Sequence, residues 1–420
     1  MTTVKSPRSY VRYIIIVFVV MTAIGLIASI SPKRTSGDFD VYYETSQNYL
    51  ARAPLYITNL GVKEFKYLPL FALVFSPLAM IAKVPALYLW SILNIFSLYA
   101  IFYFFYRLKL ISFYRLKDLL IIFCLFSLTG RYIFNNIKIG QANFLLCFLM
   151  VLAIYFEIKK KDFWAAVFLA LSLMIKLFPL LFIIYFVLRR RFKIVGYTIL
   201  LVVLFLLLPG IYSGFSLNLK YIQDWLVLLK STPARMFYSV KNYSLLSFFS
   251  WIFIARHEGY ILGYHKIAKV ITPEVYYAWA ASCLVLFGLF FYDSFFKKDK
   301  DPRIVYLDYA CLFICIPLFN PLAYLNSLIF LIIPYFFILR SLFYAGLNKI
   351  WVAVISLLTV FSFISSMGYN KIFFADINQF YRALTYKILL WTMILVYLNL
   401  WLIKLALKLK FKKQALSASP

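Results

Sequence analysis

The sequence predicts an all-α, polytopic membrane protein, and three observations carry that prediction. Of the 420 residues, 64% are hydrophobic and only 14% are charged. Apolar runs of roughly 18 residues recur from end to end, the length that crosses a hydrocarbon core as a helix. The net charge of +29 is gathered into short stretches between those runs, as the positive-inside rule expects of cytoplasmic loops. That distribution argues against nucleic acid as a partner and for contact with anionic membrane lipid.

The elements follow in order. Tyr13–Ile30 is a first span, preceded by Lys5, Arg8 and Arg12. Its apolar part is long and no small-residue cleavage site follows, so it reads as a retained span and not a signal peptide. Residues 31–84 then form a first external loop. Within it Tyr67–Ala82 is apolar but interrupted by Pro69 and Pro77. A full crossing there would force Arg107–Lys117 outside, so the stretch reads as a re-entrant or interfacial helix. Spans are expected at about 86–106, 118–134 and 144–158. The stretch 163–188 lies between Lys159–Lys161 and Arg189–Arg191, which places both its ends inside. It should be two short helices broken near Lys176-Leu177-Phe178-Pro179, because proline interrupts the hydrogen-bond ladder. Non-helical backbone at that depth needs protein or a cavity around it. A span at 194–209 leads to a second large external loop, 210–272. Five more spans, at about 273–292, 303–319, 322–339, 350–366 and 386–406, bring the total near twelve and return the C-terminus inside. The expected organisation is one transmembrane domain over 1–406 and a cytoplasmic tail, 407–420, in a bacterial plasma membrane.

Ionisable groups are scarce against this background, so those near the bilayer are candidates for chemistry. Asp38 and Asp40 follow the first span directly, in Gly37-Asp38-Phe39-Asp40-Val41-Tyr42-Tyr43. A carboxylate there can take a proton from a substrate arriving on a lipid. Lys176 reads as the one basic residue committed to the membrane interior, where an unpaired charge is costly and usually functional; the alternative is a snorkelling side chain. Asn135 to Asn143 reads as a tight external turn, with Arg131 and Lys138 as external-loop cations. Gln141 and Asn143 suit either the turn or a sugar. Tyr42, Tyr43 and Tyr67 suit either a sugar face or the aromatic belt of the interface. Asn242-Tyr243-Ser244 matches the glycosylation acceptor pattern, a short match that is common by chance. The five cysteines fall in apolar segments and read as packing residues. His257 and His265 are a weak ligand set. No metal site, P-loop or dinucleotide motif is evident, and no cofactor is expected.

These residues resemble a known family. Asp38-Phe39-Asp40-Val41-Tyr42-Tyr43, Pro54-Leu55-Tyr56 and Phe65-Lys66-Tyr67-Leu68-Pro69-Leu70-Phe71-Ala72 are similar to the first-loop signature of glycosyltransferase family 87. Gly140-Gln141-Ala142-Asn143, Ile175-Lys176-Leu177-Phe178-Pro179-Leu180 and Asn242-Tyr243-Ser244-Leu245 resemble further motifs in the same order. The resemblance covers roughly residues 35–340. It implies a GT-C-like bundle of about twelve spans using a polyprenyl-phosphate sugar, typically mannose. It also implies that Asp38 is the catalytic base, while Asp40 falls on a variable position. Tyr67-Leu68-Pro69 departs from a frequent Tyr-Pro-Pro. Asn326, in Asn320-Pro321-Leu322-Ala323-Tyr324-Leu325-Asn326, stands where relatives often carry histidine.

The expected reaction moves a sugar from the polyprenyl phosphate to a lipid or glycan hydroxyl on the outer face. A single base acting in line implies inversion. Asp38 deprotonates the acceptor, and Lys176, helped by Arg131 or Lys138, stabilises the leaving phosphate. Tyr42, Tyr43, Tyr67, Gln141, Asn143, Asn242 and Asn326 are the candidate substrate contacts. A polymerase or ligase acting on lipid-linked chains would share this topology. A transporter would instead show internal repeats and charges spread through several spans.

Overall fold

The computed structural model describes residues 17, 20, 21, 23–25, 37–56, 64–230, 234–237, 239, 241–257, 272–296, 301–367 and 387–417. Most of the predicted first span, His265 and much of the second external loop lie outside the described residues. Every described element is a helix. Eight helices are long and apolar enough to cross a membrane, and three shorter apolar ones accompany them.

The chain divides into two compact units, residues 1–119 with 131–232, and 120–130 with 233–420. In the first unit, α1 (Asp38–Leu50) follows Gly37. Asp40 accepts a hydrogen bond from the Gly37 N–H at 2.8 Å, closing the first turn, where acidic side chains also suit the helix dipole. Its residues Phe39, Tyr42, Ser46 and Tyr49 recur at helical spacing and are buried. α2 (Pro69–Ala79) opens on a proline and is 11 residues long. At 1.5 Å per residue it reaches about 16 Å, half a bilayer core. α3 (Lys83–Arg107), α4 (Leu116–Ile139, whose residues 120–130 group with the second unit) and α5 (Asn143–Ile158) come next. α4 continues five residues further than a turn beginning at Asn135 would allow; only 140–142 connect it to α5.

α6 (Asp162–Ile175) and α7 (Leu180–Leu188) are the broken pair. Lys176 leaves the helix with an extended backbone, φ −151° and ψ 151°, and Pro179 follows. Arg191 pairs with buried Glu157 at 2.8 Å, so the cationic stretches flanking the pair meet at one end of this unit. α8 (Phe192–Leu207), α9 (Pro209–Ser213) and α10 (Phe215–Lys230) complete it. α10 braces the first loop: Tyr221 donates to the Ala53 carbonyl at 2.9 Å and Trp225 to that of Lys66 at 3.2 Å.

The second unit holds α11 (Ala234–Phe237), α12 (Leu245–His257), α13 (Pro273–Phe296), α14 (Pro302–Phe319), a 3-10 helix (Leu325–Leu331), α15 (Ile332–Tyr344), α16 (Lys349–Met367) and α17 (Ile388–Ser417). One expectation fails here: Lys176 is not the only basic residue committed to the interior. Asp308 is fully buried in α14. Lys404, expected in a cytoplasmic cluster, is 3% exposed. It pairs with Asp308 at 2.6 Å and donates to the Phe290 carbonyl at 2.7 Å. One ammonium thus joins α13, α14 and α17. Charge alone groups Lys404 with the cytoplasmic lysines at 408, 410, 412 and 413; the deciding fact is a carboxylate 96 residues earlier in the chain.

Candidate functional site

The site is built where α1, Tyr67 just ahead of α2, the turn after α4 and the α6–α7 break converge. Gly140 ends α4 in the left-handed region, φ 66°, which glycine adopts without a Cβ penalty. The Gln141 N–H turns back to the Asn136 carbonyl at 3.0 Å, and the Trp90 indole donates to the Gly140 carbonyl at 2.8 Å. Gln141 is thereby held inside, 4% exposed.

Its side chain is a hub. Oε1 accepts from the phenols of Tyr42 and Tyr67, each at 2.7 Å. The Ala142 N–H reaches the same oxygen at 3.0 Å and Lys176 Nζ at 3.4 Å. On the other side, Gln141 Nε2 donates to Asp38 Oδ2. Lys176 Nζ also donates to Asn143 Oδ1 at 2.7 Å, and Asn143 Nδ2 donates to Asn136 Oδ1 at 3.0 Å. The Lys176 ammonium lies 5.6 Å from the Tyr67 ring centre and 5.5 Å from that of Phe178, within cation–π range. A carboxylate and an ammonium, both half-buried, are therefore linked through one amide.

Aromatic packing fixes this arrangement. The Tyr42 ring meets Tyr67 and Phe71 edge-on at 5.0 Å each, and Phe75 and Trp90 at 5.8 and 5.9 Å. Burial, with the nearby Asp38 carboxylate and, for Tyr42, the Tyr67 phenol, raises both phenols well above the usual tyrosine range. They stay neutral hydrogen-bond donors.

The predicted site residues divide clearly. Asp38, Tyr42, Tyr67, Gln141, Asn143 and Lys176 come together. Asp40 turns away, toward Gly37 N and Lys83 Nζ, the latter at 3.1 Å. Tyr43 is buried but donates to the Ile81 carbonyl at 2.8 Å and stacks near Lys83. Arg131 and Lys138 are corrected from loop to helix: both lie within α4, Lys138 exposed in its last turn, where a cation suits the dipole. In the second unit, buried Asn242 accepts from the N–H groups of Ser244 and Ala323 and donates to the Pro321 carbonyl. Its amide thus ties two loops, which leaves little access for glycosylation. Lys387, absent from the sequence-derived candidates, donates to the Ser239 and Asn242 carbonyls at 3.0 and 2.8 Å. Asn326 lies half-buried in the 3-10 helix. Among the described residues no three His, Cys, Asp or Glu side chains gather in a metal-binding group.

An all-α chain with eight helices long and apolar enough to cross a membrane defines an integral-membrane protein, and Asp38, Gln141 and Lys176 form a polar cluster within its first unit. The sequence profile of glycosyltransferase family 87 matches residues 65–321, more than half the chain, and the protein belongs to that family. No curated protein matches the chain. The matched segment contains Tyr67, Gln141, Asn143 and Lys176 and begins after Asp38, so the assignment of Asp38 rests on its geometry and on the first-loop resemblance.

Proposed function

We propose that this membrane glycosyltransferase takes its sugar, mannose or another hexose, from a polyprenyl phosphate and passes it to a lipid or glycan hydroxyl on the outer face of the plasma membrane. The observation that carries the reading is the convergence of Asp38 and Lys176 on one amide at the break of a short helical pair. The two charges suit the two ends of a glycosyl transfer. Asp38 removes the proton of the acceptor hydroxyl as its oxygen bonds the anomeric carbon. On the opposite face the bond from that carbon to the phosphate oxygen breaks, and the electron pair leaves with the phosphate. Lys176, already oriented by Asn143, meets that growing charge without reorganising. One displacement inverts the anomeric centre.

Tyr67 and the neighbouring aromatic side chains offer a face for the sugar. Arg131 and Lys138 are proposed only as auxiliary cations, and Asn242 and Asn326 as contacts to the acceptor or lipid chain. Membership of a glycosyltransferase family sets the transporter aside; a polymerase or ligase acting on lipid-linked chains differs from this proposal in its donor. Purified protein incubated with radiolabelled polyprenyl-phosphate mannose and a membrane-lipid extract tests the donor class. Transfer of label with inverted configuration is expected. Transfer from a nucleotide sugar or a pyrophosphate-linked oligosaccharide, with none from the monophosphate donor, would overturn it.

A further inference from the structure

We infer that Gln141 is a positioning residue for Asp38, holding its carboxylate in one orientation with an N–H on Oδ2. The inference rests on the reading of Asp38 as base and adds the group that keeps the base in place. Sequence reasoning leaves Gln141 as a turn residue or a sugar ligand; its surroundings point elsewhere.

The Ala142 N–H and the Lys176 ammonium can only donate, and both face Oε1 at 3.0 and 3.4 Å. Two phenols approach the same atom at 2.7 Å. Reversing the amide would set its NH2 group against those donors, so the orientation is settled by chemistry. The NH2 group is left pointing at Asp38. The Tyr42 and Tyr67 hydroxyls also lie 2.5 Å apart, so two phenolic protons serve three short contacts around the amide oxygen. The backbone of Gln141 is anchored too, by Gly140 in its left-handed turn and by the bond to Asn136. A sugar could take the amide only by displacing partners already in place. A carboxylate held in one orientation meets an acceptor hydroxyl without reorganising.

The test uses the full chain in detergent with radiolabelled polyprenyl-phosphate mannose. Gln141→Met, which keeps length and removes the amide, should lower kcat about 10–100-fold with donor KM within about threefold. Gln141→Glu, nearly isosteric, should lower kcat as well, because it sets a second carboxylate against Asp38 in place of the N–H. Unchanged kcat in both variants overturns the inference. Raised KM at unchanged kcat would instead make Gln141 a substrate ligand. Loss of the folded gel-filtration peak in both while Asp38→Asn stays folded would make Gln141 structural and overturns the inference too. Asp38→Asn is assayed beside them: full turnover there would overturn the base itself, whereas a loss in Asp38→Asn with native kcat in both Gln141 variants would overturn only the positioning, so the two failures are told apart.

Discussion

Lys176 ends α6 with its ammonium among two amides and two aromatic rings, surroundings that orient a cation and leave its charge available to an anion. Lys176→Met keeps the apolar stem and deletes the charge. Turnover with a polyprenyl-phosphate donor should fall about 10²–10³-fold, the scale of losing one preorganised donor to a developing oxyanion. A rise in donor KM with turnover intact would reduce Lys176 to a binding contact. The two phenols behind it give a pH prediction. Their folded pKa values are raised, so they keep their protons above the pH at which an exposed tyrosine loses its own. The alkaline limb of the rate profile should therefore not belong to them, and Tyr67→Phe should lower the rate without moving that limb. A shift of the limb in Tyr67→Phe would contradict the burial argument. At this scale the residue types of the site were legible in the sequence: scarce charges and amides at predicted breaks. Their partners were not, because the Asp38–Gln141 bond joins positions 103 residues apart, and no local pattern encodes such a contact.

Helices and their interruptions carry the next level. The break at Lys176 was readable because cationic stretches flank 163–188 and a proline follows it. The Glu157–Arg191 pair brings those stretches to one end of the unit. Single cysteines at Lys160 and Arg190 should accordingly react with a membrane-impermeant reagent from the same side, and labelling from opposite sides would defeat the arrangement. The turn at Gly140 was placed correctly, but its start was drawn too early. Asparagines at 135 and 136 look like turn residues, yet Asn136 bonds the Tyr132 carbonyl one turn back and helix wins locally. Lys404 was misassigned for a similar reason: its charge resembles the tail, and only the fold supplies Asp308. Removing one partner of such a buried pair costs about 3–5 kcal/mol, whereas replacing both with apolar residues can restore much of it. Lys404→Met should thus lower the unfolding temperature in detergent sharply, and Asp308→Leu combined with Lys404→Leu should recover most of the loss. Equal stability of Lys404→Met and the native chain would show that the pair contributes nothing.

For the whole molecule, composition and charge distribution were enough to predict an all-α membrane bundle, because lipid forces backbone hydrogen bonds to close within each helix. The ordered motifs pointed to the family that the match over 65–321 establishes. What composition could not supply is which of two acidic residues faces the site. Asp38 and Asp40 are two positions apart on α1, roughly opposite sides of a helix. One meets Gln141, and the other meets Gly37 and Lys83. The central claim, that the polyprenyl-phosphate transfer runs on Asp38, is tested most directly by initial rates of sugar transfer for Asp38→Asn and Asp40→Asn at equal amounts of folded protein. Asp38→Asn should lose about 10²–10⁴-fold, the usual contribution of a general base. Asp40→Asn should stay within about threefold, because it gives up only an exposed ion pair and part of a helix cap. Near-native transfer by Asp38→Asn, or equal loss in the two variants, would contradict the account.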